Sequence, residues 1–180
     1  MSAQPPTNQP NPTPDASPGN RFMVRAQLFA LGDDFFVENE NGARVYWIDG
    51  KALSVGKTLL FKDLQGQVKY RLEQNLLRAR KTMTVYNTEG SAAATIQKGL
   101  LRLLSSHFMI EVRGIGALET HGDLLRHEYT LTHNGKPVAQ ISQQWFRVQN
   151  TYGVQVMPGV LDPLLALALC IGIEVLQGIH

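Results

Sequence analysis

Two pairs of cations stand at alternate positions in the middle of the chain. Lys69 and Arg71 flank Tyr70, and Arg78 and Arg80 flank Ala79, with Lys81 next. Successive side chains on a strand point to opposite faces, so each pair would project from one face. Two such strands side by side would present four or five cations to a single phosphorylated group, whose oxygens accept charge-assisted hydrogen bonds from ammonium and guanidinium donors. Glu73 partly neutralises the set. A solvated basic face accounts for the same residues, and both readings stand at this point.

Other chemistry finds less support. The stretch Gly50-Lys51-Ala52-Leu53-Ser54-Val55-Gly56-Lys57-Thr58 ends like a phosphate-binding P-loop, but five residues separate its first glycine from Gly-Lys-Thr where the motif has four. Gln65-Gly66 also interrupts any helix that would follow. His121, His127 and His133 recur every six residues, which on a strand is roughly 20 Å, far beyond a shared metal. Cys170 lies in an apolar run, where a thiol packs as a small hydrophobe with its pKa raised. No Gly-x-Ser-x-Gly elbow is present. No catalytic residue, metal ligand or cofactor is assigned, and a non-enzymatic protein is expected.

The elements that must carry the cations follow from turn chemistry and periodicity. Asn41-Gly42, Asp49-Gly50, Gln65-Gly66, Glu89-Gly90 and Asn134-Gly135 supply the positive φ angles of tight hairpins. Between such pairs, residues alternate as in Phe108, Ile110 and Val112 against His107, Met109 and Glu111. Twelve strands result, at about 22–29, 34–38, 44–48, 58–63, 67–74, 80–86, 92–97, 107–112, 116–121, 124–132, 138–146 and 151–157. Asp162-Pro163 then opens a helix whose residues Leu164 to Ile173 are apolar or small on every face. A helix of this kind has to be surrounded. The uninterrupted run is half of what a bilayer demands, and Glu174 follows it directly. The expected fold is mainly β: a closed twelve-stranded antiparallel barrel around a buried hydrophobic C-terminal helix.

Composition bounds this reading. The chain has 180 residues, one ordinary domain, and six of its nine prolines fall in the first twenty. Residues 1–20 are expected to form a disordered Pro-rich arm and residues 21–180 the folded domain. One cysteine excludes a disulfide framework and makes a reducing, cytoplasmic compartment the expectation. The net charge is only +2, yet residues 51–102 hold ten basic and three acidic groups while both flanks are acidic. That middle excess suits a polyanion or an anionic membrane surface as well as a solvated face.

The run Ile141-Ser142-Gln143-Gln144-Trp145-Phe146, followed by Asn150-Thr151-Tyr152-Gly153-Val154 and the apolar helix, resembles the C-terminal half of LURP-one-related proteins. Gly50 to Gly56, then Asp63 and Gly66, resembles their N-terminal half. The resemblance covers about residues 22–179. It implies a tubby-like barrel, shared with tubby domains and phospholipid scramblases, with no catalytic residues to carry over. Tubby domains bind phosphoinositides through basic strand residues that include a Lys-x-Arg pair, and Lys69-Tyr70-Arg71 has that spacing. Val148-Gln149-Asn150-Thr151 lacks the carboxylates of the scramblase calcium segment, and a multi-cysteine palmitoylation cluster is absent. The middle-third charge excess, together with the resemblance, leads to the expectation of a domain that binds anionic lipid or another phosphorylated ligand through Lys69, Arg71, Arg78, Arg80 and Lys81, peripheral at a membrane, without nucleic acid or a transmembrane span. The alternative is a protein-interaction or scaffold module using exposed strand edges, loops and the Pro-rich arm.

Overall fold

The computed structural model describes residues 20–25, 35–50, 58–75, 80–99, 107–145 and 151–177. Twelve strands precede one helix: β1 (Arg21–Arg25), β2 (Phe35–Asn39), β3 (Arg44–Asp49), β4 (Thr58–Asp63), β5 (Val68–Asn75), β6 (Thr82–Tyr86), β7 (Ala92–Lys98), β8 (Phe108–Val112), β9 (Gly116–Asp123), β10 (Glu128–His133), β11 (Lys136–Ser142), β12 (Thr151–Val156) and α1 (Pro163–Gln177). Each strand pairs antiparallel with the next, and β1 closes on β12 through the register Arg21↔Gln155 to Arg25↔Thr151. This is the expected barrel. Closure leaves no free edge among the described strands, which removes strand-edge pairing as a route to partners.

Tight turns gather at one end of the barrel. At three of them the same local chemistry recurs. The side chains of Asn39, Asp63 and Asn87 each accept hydrogen bonds from the backbone N–H groups two and four residues on, at 2.9–3.1 Å. Gly42, Gly66 and Gly90 follow at the third position with φ of 74°, 81° and 77°. An Asx acceptor that fixes the turn, with glycine at the left-handed position, makes each hairpin self-specifying. The opposite end carries the longer connections, and α1 runs toward it.

Helix α1 starts where Asp162 Oδ2 accepts the N–H of Leu165 at 2.9 Å and its carbonyl accepts that of Ala166 at 3.0 Å. Leu165 to Glu174 and Leu176 are all buried. They meet inward residues of every quarter of the wall, among them Leu72, Met83, Ile96, Phe108, Leu131, Ile141 and Val154. Gly172 lets the helix lie close to β5–β7. A Cβ there would sit 2.5 Å from Ile96 Cδ1 and 3.1 Å from Met83 Sδ. Those are the tips of flexible side chains, and alanine favours a helix by about 1 kcal/mol, so Gly172→Ala should leave stability near the parent's. Gly172→Leu has no space to enter and should cost about 3 kcal/mol. Urea unfolding checks this; equal midpoints for both variants would reject the close approach.

Some expected boundaries shift. The strand read at 124–132 is a turn at residues 124–127 followed by β10. Asp123 Oδ1 accepts the N–H of Arg126 at 3.2 Å, the His127 N–H bonds the Leu124 carbonyl at 3.2 Å, and His127 takes φ +51°. The strand read at 116–121 extends to Asp123, so His121-Gly122 lies within β9. The strand read at 138–146 ends at Ser142, because the Glu128 carboxylate captures Ser142 Oγ at 3.0 Å and the Gln143 N–H at 2.9 Å. Residues 26–29 of the first expected strand, and the arm apart from Asn20, lie outside the described residues. Residues 51–57 of the P-loop-like stretch do too, but it is followed by strand β4 and not by the helix that a P-loop requires.

Candidate functional site

Inward positions on β5 are Tyr70, Leu72 and Gln74, so Lys69, Arg71 and Glu73 share the outer face. Lys69 Nζ lies 2.9 Å from Asp63 Oδ2 and 3.3 Å from Gln67 Oε1. Arg71 pairs with the Glu73 carboxylate and lies 4.7 Å over the Tyr86 ring, which faces it across the β5–β6 register. The two side chains are 37% and 40% exposed, so each is within reach of a ligand but already has a carboxylate beside it.

The remaining expected cations are elsewhere. Arg78 lies outside the described residues. Arg80 and Lys81 lead into β6 instead of forming its first residues; the Arg80 carbonyl accepts Thr82 Oγ1 at 3.2 Å. Since Thr82 faces Asn75, Lys81 is about five strand residues along the barrel from Arg71, or about 17 Å. The structure thus brings Lys69 to Arg71 and Arg80 to Lys81 but separates the two pairs.

It also adds a member. The Lys98 N–H donates to the Lys81 carbonyl at 3.0 Å, which sets Lys98 at the end of β7 directly across from Lys81. Both continue the inward-facing parity of Met83 and Ile96, so they stand at the mouth toward which α1 points its carbonyl end, where cations are favoured. Among the described residues, neither Lys81, Lys98 nor Arg80 has a carboxylate partner. Further round the same rim the exposed rings of His107 and His121 meet edge to face at 6.4 Å. Lys98 was readable in principle: mirroring the chain about Glu89-Gly90 places residue 98 opposite 81. The middle-third excess is further thinned by Lys62, whose Nζ lies 2.8 Å from Asp49 Oδ2 and 4.4 Å over the Trp47 ring, buried with both.

A second polar group lies inside the barrel. Tyr129 donates its hydroxyl to Glu174 Oε1 at 3.1 Å, and His127 Nδ1 lies 2.9 Å from Oε2 without the alignment of a hydrogen bond. The His127 ring stacks on Tyr152 at 5.0 Å and 6°. Burial, and after it the Glu174 charge, pushes the phenols of Tyr129 and Tyr152 well above their ordinary range and raises the Cys170 thiol, as expected for a poor nucleophile. All five residues are almost wholly enclosed, so the group anchors α1 to the wall and offers no place for a substrate.

On the outer face of β7–β9 a groove of about 300 Å³ opens beside Met109, lined by Thr95, Gln97, Glu111, Ala117 and Glu119. Sequence alternation set Met109 and Glu111 against the apolar Phe108, Ile110 and Val112, but the groove arises from side chains meeting across two registers, Thr95↔Glu111↔Ala117.

A family model described as LURP-one-related matches residues 20–174. No curated protein matches the chain. Among solved structures, an Arabidopsis thaliana protein determined by X-ray superposes with a TM-score of 0.60 at 11% identity, over 88% of this chain and 89% of that one. At that identity the likeness is one of fold.

Proposed function

The chain belongs to the LURP-one-related family and has its tubby-like barrel, filled by its own helix; from this premise we propose a non-enzymatic binding module that takes an anionic phospholipid headgroup at its surface. A plugged interior excludes the carrier role that hollow barrels serve, so a ligand must be met outside or at a rim. The observation that carries the reading is Lys81 across from Lys98 at the mouth, with Arg80 next in the chain, and no carboxylate against any of them among the described residues. Lys69 and Arg71 contribute only when a phosphate displaces Asp63 and Glu73, which makes them secondary. No helix among the described residues is long and apolar enough to cross a membrane, so the attachment proposed is peripheral, to the anionic cytoplasmic leaflet.

Each cation near an anionic surface contributes about 1 kcal/mol. Lys81→Ala with Lys98→Ala should therefore weaken binding to vesicles containing phosphatidylinositol phosphate by roughly 30-fold, and Lys69→Ala with Arg71→Ala by less. Binding should also fall between low and physiological salt. Co-sedimentation reads all three. Equal recovery with phosphatidylcholine vesicles, or unchanged binding by the Lys81/Lys98 variant, would overturn the reading.

A further inference from the structure

Two side chains dominate the exposed apolar surface of the described residues: Met109 at 51% and Leu125 at 65%. Both lie on the β8–β10 side of the barrel, one at each end of a shared face. Met109 borders the groove, with Glu111 and Glu119 at its edges. Leu125 stands in the β9–β10 turn next to Arg126, whose side chain is highly exposed and held only by a 3.6 Å contact to Asp123. Glu119 has His121 beside it at 3.2 Å, whereas Glu111 has no cationic partner among the described residues.

We propose that this face docks on a second copy of the chain about a two-fold axis, with Leu125 and Arg126 of each copy seated against Met109 and Glu111 of the other. In a face-to-face isologous contact the axis runs in the plane of the interface, and the midpoint of every such pair lies on it. Strand register tests that requirement. Met109 is level with Glu119 and Glu111 with Ala117 on β9, while the turn begins after Asp123. Leu125 is thus about six residues beyond Met109 and Arg126 about eight beyond Glu111, or about 20 and 25 Å. Both midpoints fall at His121 and Gly122. There the outer face carries Thr130, a small side chain, and the exposed ring of His121, which meets its counterpart in the other copy across the axis.

A second copy is the occupant that the charges and distances favour. The groove asks for an apolar side chain adjoining a cation, and the chain itself displays that dipeptide at the matching distance. Four strands over six or seven residues cover about 400 Å² per copy, half of a standard interface, so the dimer is weak. Sedimentation velocity on the full chain should show monomer at low micromolar and a growing dimer fraction at several hundred micromolar (about tenfold intervals suffice). Glu111→Arg and Arg126→Glu, both at exposed positions, should each stay monomeric with unchanged thermal midpoints. Mixing the two variants should restore dimer, because one contact then joins the two substituted positions with their charges exchanged and the other keeps the parental Glu111–Arg126 pair. A parent that stays monomeric throughout, variants that dimerise like the parent, or a mixture no better than either variant alone would each overturn the proposal. So would a parent that remains monomeric while binding an Arg-Leu-Arg peptide in the groove, since the occupant would then be a different chain.

Discussion

Gly122→Ala is expected to be the most damaging single methyl that can be added to this protein. Gly122 has φ +122°, and a Cβ built on it lies 2.4 Å from the Glu128 carbonyl oxygen and 2.8 Å from Tyr129 Cα. These are backbone atoms of the paired strand, and they cannot rotate aside as the tip of Ile96 can beside Gly172. The methyl must therefore part β9 from β10 at the pair Gly122↔Tyr129. Tyr129 carries the hydroxyl that holds Glu174, so the helix loses its anchor together with the ladder. The backbone strain adds to this, since an L side chain is disfavoured at such a φ by 1 kcal/mol or more (about 1–3 for strained residues). A loss of roughly 4 kcal/mol or more is expected, in the range that marks a named mechanical fault rather than ordinary mutational cost. Gly135→Ala is the control, because its φ of 74° is also left-handed but a Cβ there meets nothing within 4 Å. Urea midpoints of the two variants should differ widely, and near-equal values would show that the β9–β10 contact is not as close as it stands.

The second large effect is a collapse of stability at alkaline pH. Burial first, then the Glu174 charge, raises the Tyr129 and Tyr152 phenols and the Cys170 thiol. At the other end of α1, burial followed by the Asp162 carboxylate raises Tyr70 to about 12, and the same two causes lead for Tyr46. All five are neutral in the folded protein and ionise more readily once unfolded. Their contribution is complete below the unfolded values, near 9 for the thiol and 10 for the phenols, and is lost as pH rises toward the folded ones. Each fully enclosed group removes about 1.4 kcal/mol per pH unit in that window, so the three interior ones together remove about 4. Tyr46 and Tyr70 are half-buried and add less. A domain in the lower part of the ordinary stability range, about 5–10 kcal/mol, should then unfold between roughly pH 11 and 12. Circular dichroism against pH, with phenolate absorbance recorded alongside, measures it. A native signal that persists beyond pH 12 would show that the phenols are not enclosed as described.

The architecture was more legible than the site, for a physical reason visible in particular residues. Strand number and the terminal helix follow from local information: Gly42, Gly66 and Gly90 after their Asx residues, Asp162-Pro163, and ten apolar residues with no polar face. Alternation is blind to backbone sign, however, so Leu125 to Leu131 read as one strand although His127 turns left-handed in its middle. The candidate site depends on which strands are neighbours and on which charges already have partners. Glu73, two positions from Arg71 on the same strand face, is readable as partly neutralising it, whereas Lys69 looks free because Asp63, six positions away, meets it only through the β4–β5 turn. Glu174 gave no hint of its partners, since Tyr129 lies 45 residues earlier and reaches it only across the barrel interior.

The position of α1 after all twelve strands sets the order in which the molecule can be assembled during synthesis. The inward side chains of the wall share one core with the buried residues of Leu165 to Leu176, which are synthesised after all twelve strands. Until then the strands have hairpin turns to guide them but no common interior to close upon, and their apolar faces are open to one another and to other chains. Domains that fold cotranslationally bank stability as they emerge; here the stabilising contacts arrive together, at the end, and across long sequence separations that make closure slow. The nascent barrel is therefore at its most vulnerable between the completion of β12 and that of α1, and a sheltering chaperone has its greatest effect in that interval.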